Sequence, residues 1–261
     1  MTLVRRINVC LGMVGLLAAA VSPVLGQWEF LTNVHGSRYT YDLTTTPRAV
    51  YMTLGDTLGN CMGLYRFDRL TAETEFVGKP DDPIYGVHVA GANDEHIWLG
   101  SQGHPGHEDY LWHSSDAGET WEVQRSAAHG EHFAVGGTAI GEWTYIGSHN
   151  FLCLESSTDY GQTWITWGGC SSEYFYGARA IESDLFNEKR AYAAIVDWSI
   201  GALIVVETAD GGETWEDVYI RYNMPAFGCV YPSPFHEGDV SVVDGGGVVL
   251  TRIDGQWINQ G

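Results

Sequence analysis

Histidine and carboxylate side chains cluster along this chain, and they are its main candidates for chemistry. The densest stretches are residues 104–109, with the sequence HPGHED, and residues 129–132, with the sequence HGEH. Both stretches are expected to be loops, and imidazole and carboxylate groups are the usual protein ligands of zinc and related ions. One interpretation is a divalent metal site. The other is a histidine-rich rim that is solvated or that contacts a sugar.

The candidate ligand-binding set adds basic, acidic and aromatic positions to these histidines. His88 and Arg179 each lie three residues after the aromatic residue that opens a predicted innermost strand, so both would line a channel if that position faces the axis. Packing between strands is the alternative. Trp198 is the preferred exposed ring, with a face that could stack on a sugar. The full set is His88, His104, His107, His132, His149, Tyr174, Arg179, Asp197 and Trp198.

Other aromatic residues are expected near the same loops, where rings beside polar groups are typical of carbohydrate-binding surfaces. Core packing explains most aromatic residues in a small all-β domain, so only two or three should face a ligand. No catalytic set is recognised among these positions, and no cofactor is predicted apart from the divalent metal. The residues placed near the loops are Tyr85, Trp143, Trp167, Tyr174, Phe175, Tyr176, Trp198 and Tyr222.

Three copies of the pattern Ser/Thr-x-Asp-x-Gly-x-Thr-Trp organise the chain that must position these residues. In each copy the Asp carboxylate can accept hydrogen bonds from the turn, and Gly supplies a backbone conformation that is costly for other residues. The Thr-Trp pair then opens a strand, and the indole can be buried. These acids are therefore assigned to structure. The residues concerned are Asp116, Gly118, Trp121, Asp159, Gly161, Trp164, Asp210, Gly212 and Trp215.

The repeats extend over the rest of the chain. Two eroded copies, aligned at Asp68 and Asp254, bracket the three clear ones, and the five positions are separated by 43 to 51 residues. A second series, with an aromatic and then a small residue, predicts innermost strands that begin at Tyr85, Phe133, Tyr176 and Phe227. The fold class is therefore all-β, with five repeat units of about four strands each, and the resemblance described next implies that these units are the blades of a β-propeller. Six blades are disfavoured because one blade would lack its inner strands.

The repeated pattern resembles the Asp-box, or bacterial neuraminidase repeat, of sialidases, sortilin-type receptors, xyloglucan hydrolases and photosystem II assembly factors. The resemblance implies a propeller in which each box joins the two outer strands of a blade, on the face away from the ligand. It implies little about activity, because these families do unrelated jobs on one scaffold.

The motifs that accompany the box in particular families are missing. Sialidases also need an Arg-Ile-Pro segment, further arginines and a Tyr/Glu pair, and this sequence has no Arg-Ile-Pro. The arginine-rich patch expected of photosystem assembly factors is absent, as are the additional blades and membrane span of sortilin-type receptors. The sequence therefore favours a non-enzymatic role.

Residues 1–26 resemble a secretory signal peptide, with Arg5 and Arg6 before a short apolar run and small residues before Gln27. That run is short for a membrane anchor. We therefore expect a secreted or periplasmic protein whose residues 27–261 form one propeller domain. The segment 28–30, Trp-Glu-Phe, is similar to an outer strand. It would either add a lone strand or pair with the last blade to lock the ring.

Charge and cysteine content limit the partners and the compartment. The net charge is −20 at pH 7, which disfavours nucleic acid and anionic lipid surfaces as partners. Cys153 and Cys170 flank the second box, so they are the most local disulfide pair, and Cys61 with Cys229 would then join the first and last repeats. Four buried free thiols are the alternative.

These observations predict an exported propeller that binds a glycan, a peptide or a protein through the loop-rich face opposite the boxes. A glycan-active hydrolase or lyase with its site in the central pocket is the first alternative. A structural subunit of a cell-surface assembly is the second.

Overall fold

The computed structural model of the protein describes residues 39–46, 48–55, 61–78, 85–91, 95–102, 109–127, 133–137, 143–148, 153–167, 176–223, 228–233, 235–244 and 246–260. This part of the chain forms five four-stranded antiparallel sheets, each built from four consecutive strands. It contains no helix long and apolar enough to cross a membrane. The prediction of an all-β propeller with five four-stranded blades is confirmed.

The blades follow one another along the chain. Blade 1 contains β1 (Tyr39–Thr45), β2 (Ala49–Gly55), β3 (Cys61–Asp68) and β4 (Thr74–Gly78). Blade 2 contains β5 (Tyr85–Gly91), β6 (Ile97–Gln102), β7 (Asp109–Ser114) and β8 (Glu122–Ala127). Blade 3 contains β9 (Phe133–Gly137), β10 (Thr144–Ser148), β11 (Leu154–Ser157) and β12 (Ile165–Trp167). Blade 4 contains β13 (Tyr176–Ser183), β14 (Ala191–Asp197), β15 (Ala202–Thr208) and β16 (Glu216–Tyr222). Blade 5 contains β17 (Gly228–Pro232), β18 (Val240–Asp244), β19 (Val249–Ile253) and β20 (Gln256–Asn259).

The innermost strands of successive blades pack against each other, β1 on β5, β5 on β9, β9 on β13 and β13 on β17. Apolar side chains fill the space between neighbouring blades. Between blades 4 and 5, for example, Tyr192, Ala194 and Val196 are buried against Val230 and Val242. The removal of these side chains from water is the main stabilising contribution at each interface.

The three repeat turns, here called box turns, have one hydrogen-bond pattern. In the second, the Asp159 carboxylate accepts hydrogen bonds from the backbone N–H of Thr163 at 2.8 Å and from its hydroxyl at 2.6 Å. The Ser157 hydroxyl donates to Asp159 at 2.9 Å and accepts from the N–H of Gly161 at 2.8 Å. The Thr163 hydroxyl is the largest cause of a lowered pKa for Asp159. These carboxylates are therefore committed to their turns.

A box turn also joins its blade to the preceding one. Gly161 has a φ of +81°, which glycine adopts without strain. A methyl group at this position would lie 2.5 Å from the ring of Trp98, which belongs to blade 2. The box glycine is therefore required both by the backbone conformation and by the close approach of the neighbouring blade.

The eroded copy in blade 1 is aligned differently from the sequence-based expectation. Asp68 pairs with Ala49 at the end of β3, just as Ser114 pairs with Ile97 at the end of β7. Asp68 therefore takes the place of the box Ser rather than the box Asp. Its carboxylate still closes a turn, because it accepts hydrogen bonds from the N–H groups of residues 70 and 71 at 2.8 and 3.1 Å.

Candidate functional site

Blade 4 carries its box turn at one end and a second turn at the opposite end. The box turn follows Thr208 at the end of β15, and the turn of residues 198–201 precedes Ala202 at its start. A seven-residue strand is about 20 Å long. Trp198 therefore lies at the end of the blade away from Asp210, as the sequence predicts for a ligand-facing residue.

Asp197 holds the turn that carries Trp198. Its carboxylate is buried and accepts hydrogen bonds from the N–H of Ser199 at 2.8 Å and from the Ser199 hydroxyl at 2.6 Å. Gly201 closes the turn with a φ of +61°. An Asp that bonds the backbone two residues ahead is a common device for fixing a turn. Asp197 therefore positions its neighbour.

Trp198 is 44% exposed, and its inner face lies against a cation. The guanidinium carbon of Arg179 is 5.3 Å from the Trp198 ring centroid, within the range of a cation–π interaction. Burial lowers the pKa of Arg179 to about 10, so the side chain stays charged at neutral pH. Ile200 and Tyr222 are also exposed at this end of the blade. We call Arg179, residues 197–201 and Tyr222 the blade 4 rim.

Arg179 occupies a β-bulge, which alters its relation to His88. In β13 the register shifts between Ala178 and Ala180, so Arg179 is the extra residue. In β5 the shift falls earlier, and His88 pairs regularly with Gly100. The strand pairing within each blade therefore places His88 of β5 at the structural position that Ala180, and not Arg179, occupies in β13. The two residues therefore share a sequence position but not a structural one, because a bulge reverses the alternation of faces that follows it.

An ion pair that sequence reasoning missed lies next to the rim. Arg221, in β16, forms a salt bridge with Asp244, at the end of β18 in blade 5. The Asp244 side chain is fully buried and also accepts hydrogen bonds from the N–H groups of Gly246 at 2.8 Å and Val248 at 3.0 Å. Only the Asp-x-Gly spacing of the second turn is visible in the sequence. The pairing with Arg221 is not.

Several predicted site residues lie outside the described part of the chain. They are His104, His107, His132, His149 and Tyr174. His88 is described only as part of β5. Their assignment to a ligand site stays a prediction. Within the described ranges, no group of three or more His, Cys, Asp or Glu side chains could hold a metal ion.

Trp143 was expected near the loop-rich end, and this expectation is wrong. It immediately precedes β10, whose first residue, Thr144, pairs with Ser157 of the box, so Trp143 lies at the box end. It stacks on Tyr145 with a centroid separation of 6.2 Å and packs against the core between blades 3 and 4. Trp167, at the other end of its blade, is also packed against that core.

The disulfide prediction stays a prediction. Cys153 and Cys229 are both buried, at 8% and 7% exposure. Cys229 pairs with Val243 in blade 5, and Cys61 pairs with Gly55 in blade 1. Cys170 lies outside the described residues.

A second cluster of titratable groups lies at the box end, between blades 2 and 3. His113 is buried, stacks on Trp98 at 4.2 Å, and contacts His96 through a 2.9 Å separation between Nε2 and the Nδ1 of His96. Its own Nδ1 is 3.3 Å from a carboxylate oxygen of Glu122. The ring of Tyr160, from the second box turn, stacks on His96 at 3.7 Å. Burial is the largest cause of a lowered pKa for His113.

We expect this histidine to make the fold sensitive to acid. Because its folded pKa lies below the ordinary value of 6.5, the unfolded chain binds a proton more readily. The contribution of His113 to stability is complete above pH 6.5 and is lost as the pH falls through the folded pKa. Urea unfolding on either side of pH 6.5 measures this, and His113→Gln should reduce the difference between the two free energies. The exposed control His236→Gln should leave this difference unchanged. An equal difference in the unsubstituted protein and in both variants would contradict the assignment to His113.

Comparison with known proteins shows the fold. No family model matches the chain, and no curated protein matches its sequence. The GH74 xyloglucanase from Xanthomonas campestris superposes with a TM-score of 0.57 at 15% identity, over 84% of this chain and 31% of that chain. The GH74 enzyme of Niastella koreensis gives 0.56 at 16% identity, over 84% and 30%. A chain of a nidogen/laminin complex gives 0.53 at 12% identity, over 72% and 70%.

The protein thus spans less than a third of the length of either GH74 enzyme. At these identities the likeness establishes a β-propeller and says nothing further about activity. A propeller is compatible with the Asp-box resemblance of the three repeats.

Proposed function

We propose that the protein is an exported binding or scaffold propeller that takes a glycan, peptide or protein segment on the face opposite the box turns. The observation that carries the proposal is Trp198, an exposed ring held by the turn of Asp197 and backed by the Arg179 guanidinium. A preorganised aromatic face loses little conformational entropy on binding. Such a face suits a sugar ring or an apolar peptide side chain.

The charge of the protein narrows the class of ligand. A net charge of −20 repels nucleic acid and anionic lipid, so neutral or cationic partners are favoured. Arg179 supplies local positive charge at the rim despite this surplus of acid. The charge of the protein therefore favours a neutral glycan or a neutral or cationic peptide.

A glycan-active hydrolase or lyase is the alternative, and the described carboxylates favour it less. Glycoside hydrolysis needs two carboxyl groups about 5–10 Å apart, one of which acts as acid or base. Two carboxylates lie at the end of blades 4 and 5 opposite the box turns. The Asp197 carboxylate accepts hydrogen bonds within its own turn, and the Asp244 carboxylate is paired with Arg221 and with two backbone N–H groups. Release of reducing ends from a bound glycan would establish the enzymatic alternative.

The test is a glycan and peptide array probed with the protein and with Trp198→Ala, in the presence and absence of a chelator. We expect the substitution to weaken binding about tenfold, since loss of a stacked ring costs on the order of 1.4 kcal/mol. Loss of binding on chelation would instead assign the site to a metal held by the loop histidines.

Phe186→Ala is a matched control. Phe186 is 46% exposed, close to the value for Trp198, but it lies in the connection between β13 and β14 at the box end of the same blade. Its substitution should leave binding unchanged. If both substitutions weaken binding equally, or if the protein binds nothing on the array, the blade 4 rim is not the site, and a structural role in a cell-surface assembly becomes the better explanation.

Export is part of the proposal, and so are the disulfides. Sequencing of the exported protein should find Gln27 at its N-terminus, and peptide mapping without reductant should find Cys153 linked to Cys170 and Cys61 linked to Cys229. A protein that keeps residues 1–26, or that has four free thiols, would contradict this part.

A further inference from the structure

A cavity of about 710 Å³ reaches the box end of blade 5. Its wall includes Tyr231, Ser241 and Thr251, which pair across three strands and therefore present their side chains on one face of the sheet. The Ser241 and Thr251 hydroxyls are 3.1 Å apart. Val240, another lining residue, pairs with Arg252 beside the turn between β19 and β20, which is the eroded box copy of this blade. The volume is typical of a site for a small organic molecule.

The connection between β17 and β18 forms another part of the wall, and hydrogen bonds fix its shape. The Ser233 hydroxyl accepts hydrogen bonds from the N–H groups of Phe235 and of the following residue at 3.1 and 3.2 Å. The N–H of Ser233 donates to the carbonyl of Asp239 at 2.7 Å. The N–H of Gly238 donates at 2.9 Å to the buried carboxylate of Asp184 in blade 4. This part of the cavity is therefore preorganised, which reduces the entropy lost on binding.

Two exposed apolar side chains border the cavity. Phe235 is 50% exposed and Ile253 is 40% exposed. They come from different connections of the same blade, since Phe235 precedes β18 and Ile253 ends β19. A ligand in the cavity would remove both side chains from water, which is favourable in proportion to the apolar area covered.

The polar groups of the cavity favour a cation. Glu182, which is only 8% exposed, and Asp239 both line it, and the described lining residues include neither lysine nor arginine. The nearest arginines are paired elsewhere, because Arg190 and Arg252 both contact the carboxylate of Glu207, at 3.2 and 2.6 Å. The net charge of −20 also attracts cations to the protein as a whole.

We propose that this cavity binds a small organic ammonium ion with an apolar body. The ammonium group would lie near the carboxylates of Glu182 and Asp239, where charge-assisted hydrogen bonds are strongest. The apolar body would pack on Phe235 and Ile253, and an aromatic ring also attracts a nearby cation. The proposed function concerns the opposite end of blade 4, so this inference does not depend on it.

Three probes that share a phenylethyl stem test the chemical class. Isothermal titration calorimetry of the full protein at neutral pH compares 2-phenylethylamine, 2-phenylethanol and 3-phenylpropionate, which are cationic, neutral and anionic. We expect the amine to bind about tenfold more tightly than the alcohol, and the acid to show no measurable binding. Equal affinities for the amine and the alcohol, or no binding of the amine, would overturn the proposal.

A charge-neutral substitution tests the assigned carboxylate. Asp239→Asn removes the charge but keeps an oxygen that can accept the 3.1 Å hydrogen bond from the N–H of Asp254. It should weaken binding of 2-phenylethylamine about fivefold or more, since it removes one charged partner. Glu119→Gln is the matched control, because it changes the net charge equally at an exposed position in the box turn of blade 2. Equal weakening by both substitutions would show that only the overall charge attracts the amine.

A second pair of variants tests the apolar contact. Phe186 follows Asp184 as Phe235 follows Ser233, with the same hydrogen bond from its N–H at 2.8 Å, and it is 46% exposed. Of these two phenylalanines, Phe235 is the one that lines the cavity. Phe235→Ala should therefore weaken binding of the amine several-fold, and Phe186→Ala should leave it unchanged. The opposite result, or equal effects, would contradict the assigned position of the apolar body.

Photolabelling of the unsubstituted protein provides a test that does not depend on the folding of any variant. The probe is 2-(4-azidophenyl)ethylamine, and the labelled peptides are identified by mass spectrometry. We expect the label on peptides that contain Phe235 or Ile253, and excess 2-phenylethylamine should suppress it. Labelling confined to blades 1–3, or labelling that the excess amine does not suppress, would overturn the proposal.

Discussion

Arg221→Met is expected to lower the free energy of unfolding by about 3–5 kcal/mol. The substitution keeps an apolar stem of similar length but removes the cation that faces Asp244 across the interface between blades 4 and 5. The Asp244 carboxylate is then left buried with only two backbone N–H groups as partners. A buried charge without a counter-charge is among the most destabilising single defects in a folded protein. Urea unfolding measures the change.

Two further variants separate the charge effect from a simple loss of contact. Arg221→Met combined with Asp244→Asn removes both charges and keeps an acceptor for the turn, so it should recover most of the lost stability. Arg48→Met breaks the Arg48–Asp68 pair within blade 1, where Arg48 is 61% exposed and the atoms are 3.2 Å apart. That substitution should cost about 1 kcal/mol or less. Equal losses for Arg48→Met and Arg221→Met would show that burial of the pair is not what matters.

Trp98→Ala is expected to cost about 3–5 kcal/mol of the free energy of unfolding. The ring is fully buried between blades 2 and 3, stacked on His113 and in edge contact with Trp164 at 5.9 Å. It also lies directly against Gly161 of the box turn in blade 3, where a Cβ would be 2.5 Å from the Trp98 ring. The substitution should therefore leave a cavity and loosen the box turn of blade 3. Urea unfolding and amide exchange in β11 and β12 measure the two effects.

Trp98→Phe and Trp198→Ala are the controls for this prediction. The indole N–H of Trp98 has no hydrogen-bond partner among the described residues, so Trp98→Phe should lose much less stability than Trp98→Ala. Trp198→Ala makes the same chemical change at the exposed rim and should cost about 1 kcal/mol or less. A loss at the rim as large as the loss in the core would contradict both the packing argument and the assignment of Trp198 to ligand contact.

The box turns and the number of blades could be predicted because their interactions are local. Asp159 meets Thr163 four residues later, and Ser157 meets Gly161 at the same separation. Such contacts are encoded by one short stretch of chain, and three repetitions with two eroded copies suffice to count the blades. The first two strands, β1 and β2, were not recognised from the sequence. The run that forms β1 follows no box, and its Tyr and Thr residues do not alternate with apolar ones as in a half-buried strand.

The candidate site was predictable only in part. Trp198 was expected to be exposed at the end opposite the boxes, and it lies there. Asp197 was grouped with it as a ligand contact, but its carboxylate faces inwards and holds the turn. Trp143 was placed at the wrong end because the direction of β10 is set by pairing with β11, which sequence position alone does not show.

By itself the sequence determined the repeated turns, the all-β class and the five-part division of this chain, because each of these depends on contacts within a few residues. The tertiary structure decided the rest. Arg221 meets Asp244 across two blades, Trp98 packs under the glycine of a later turn, and a bulge in β13 places Arg179 where it can lie beneath Trp198. Each of these contacts joins residues that are distant along the chain. Their geometry depends on strand register and on the packing of neighbouring blades, and a single sequence carries no direct sign of either.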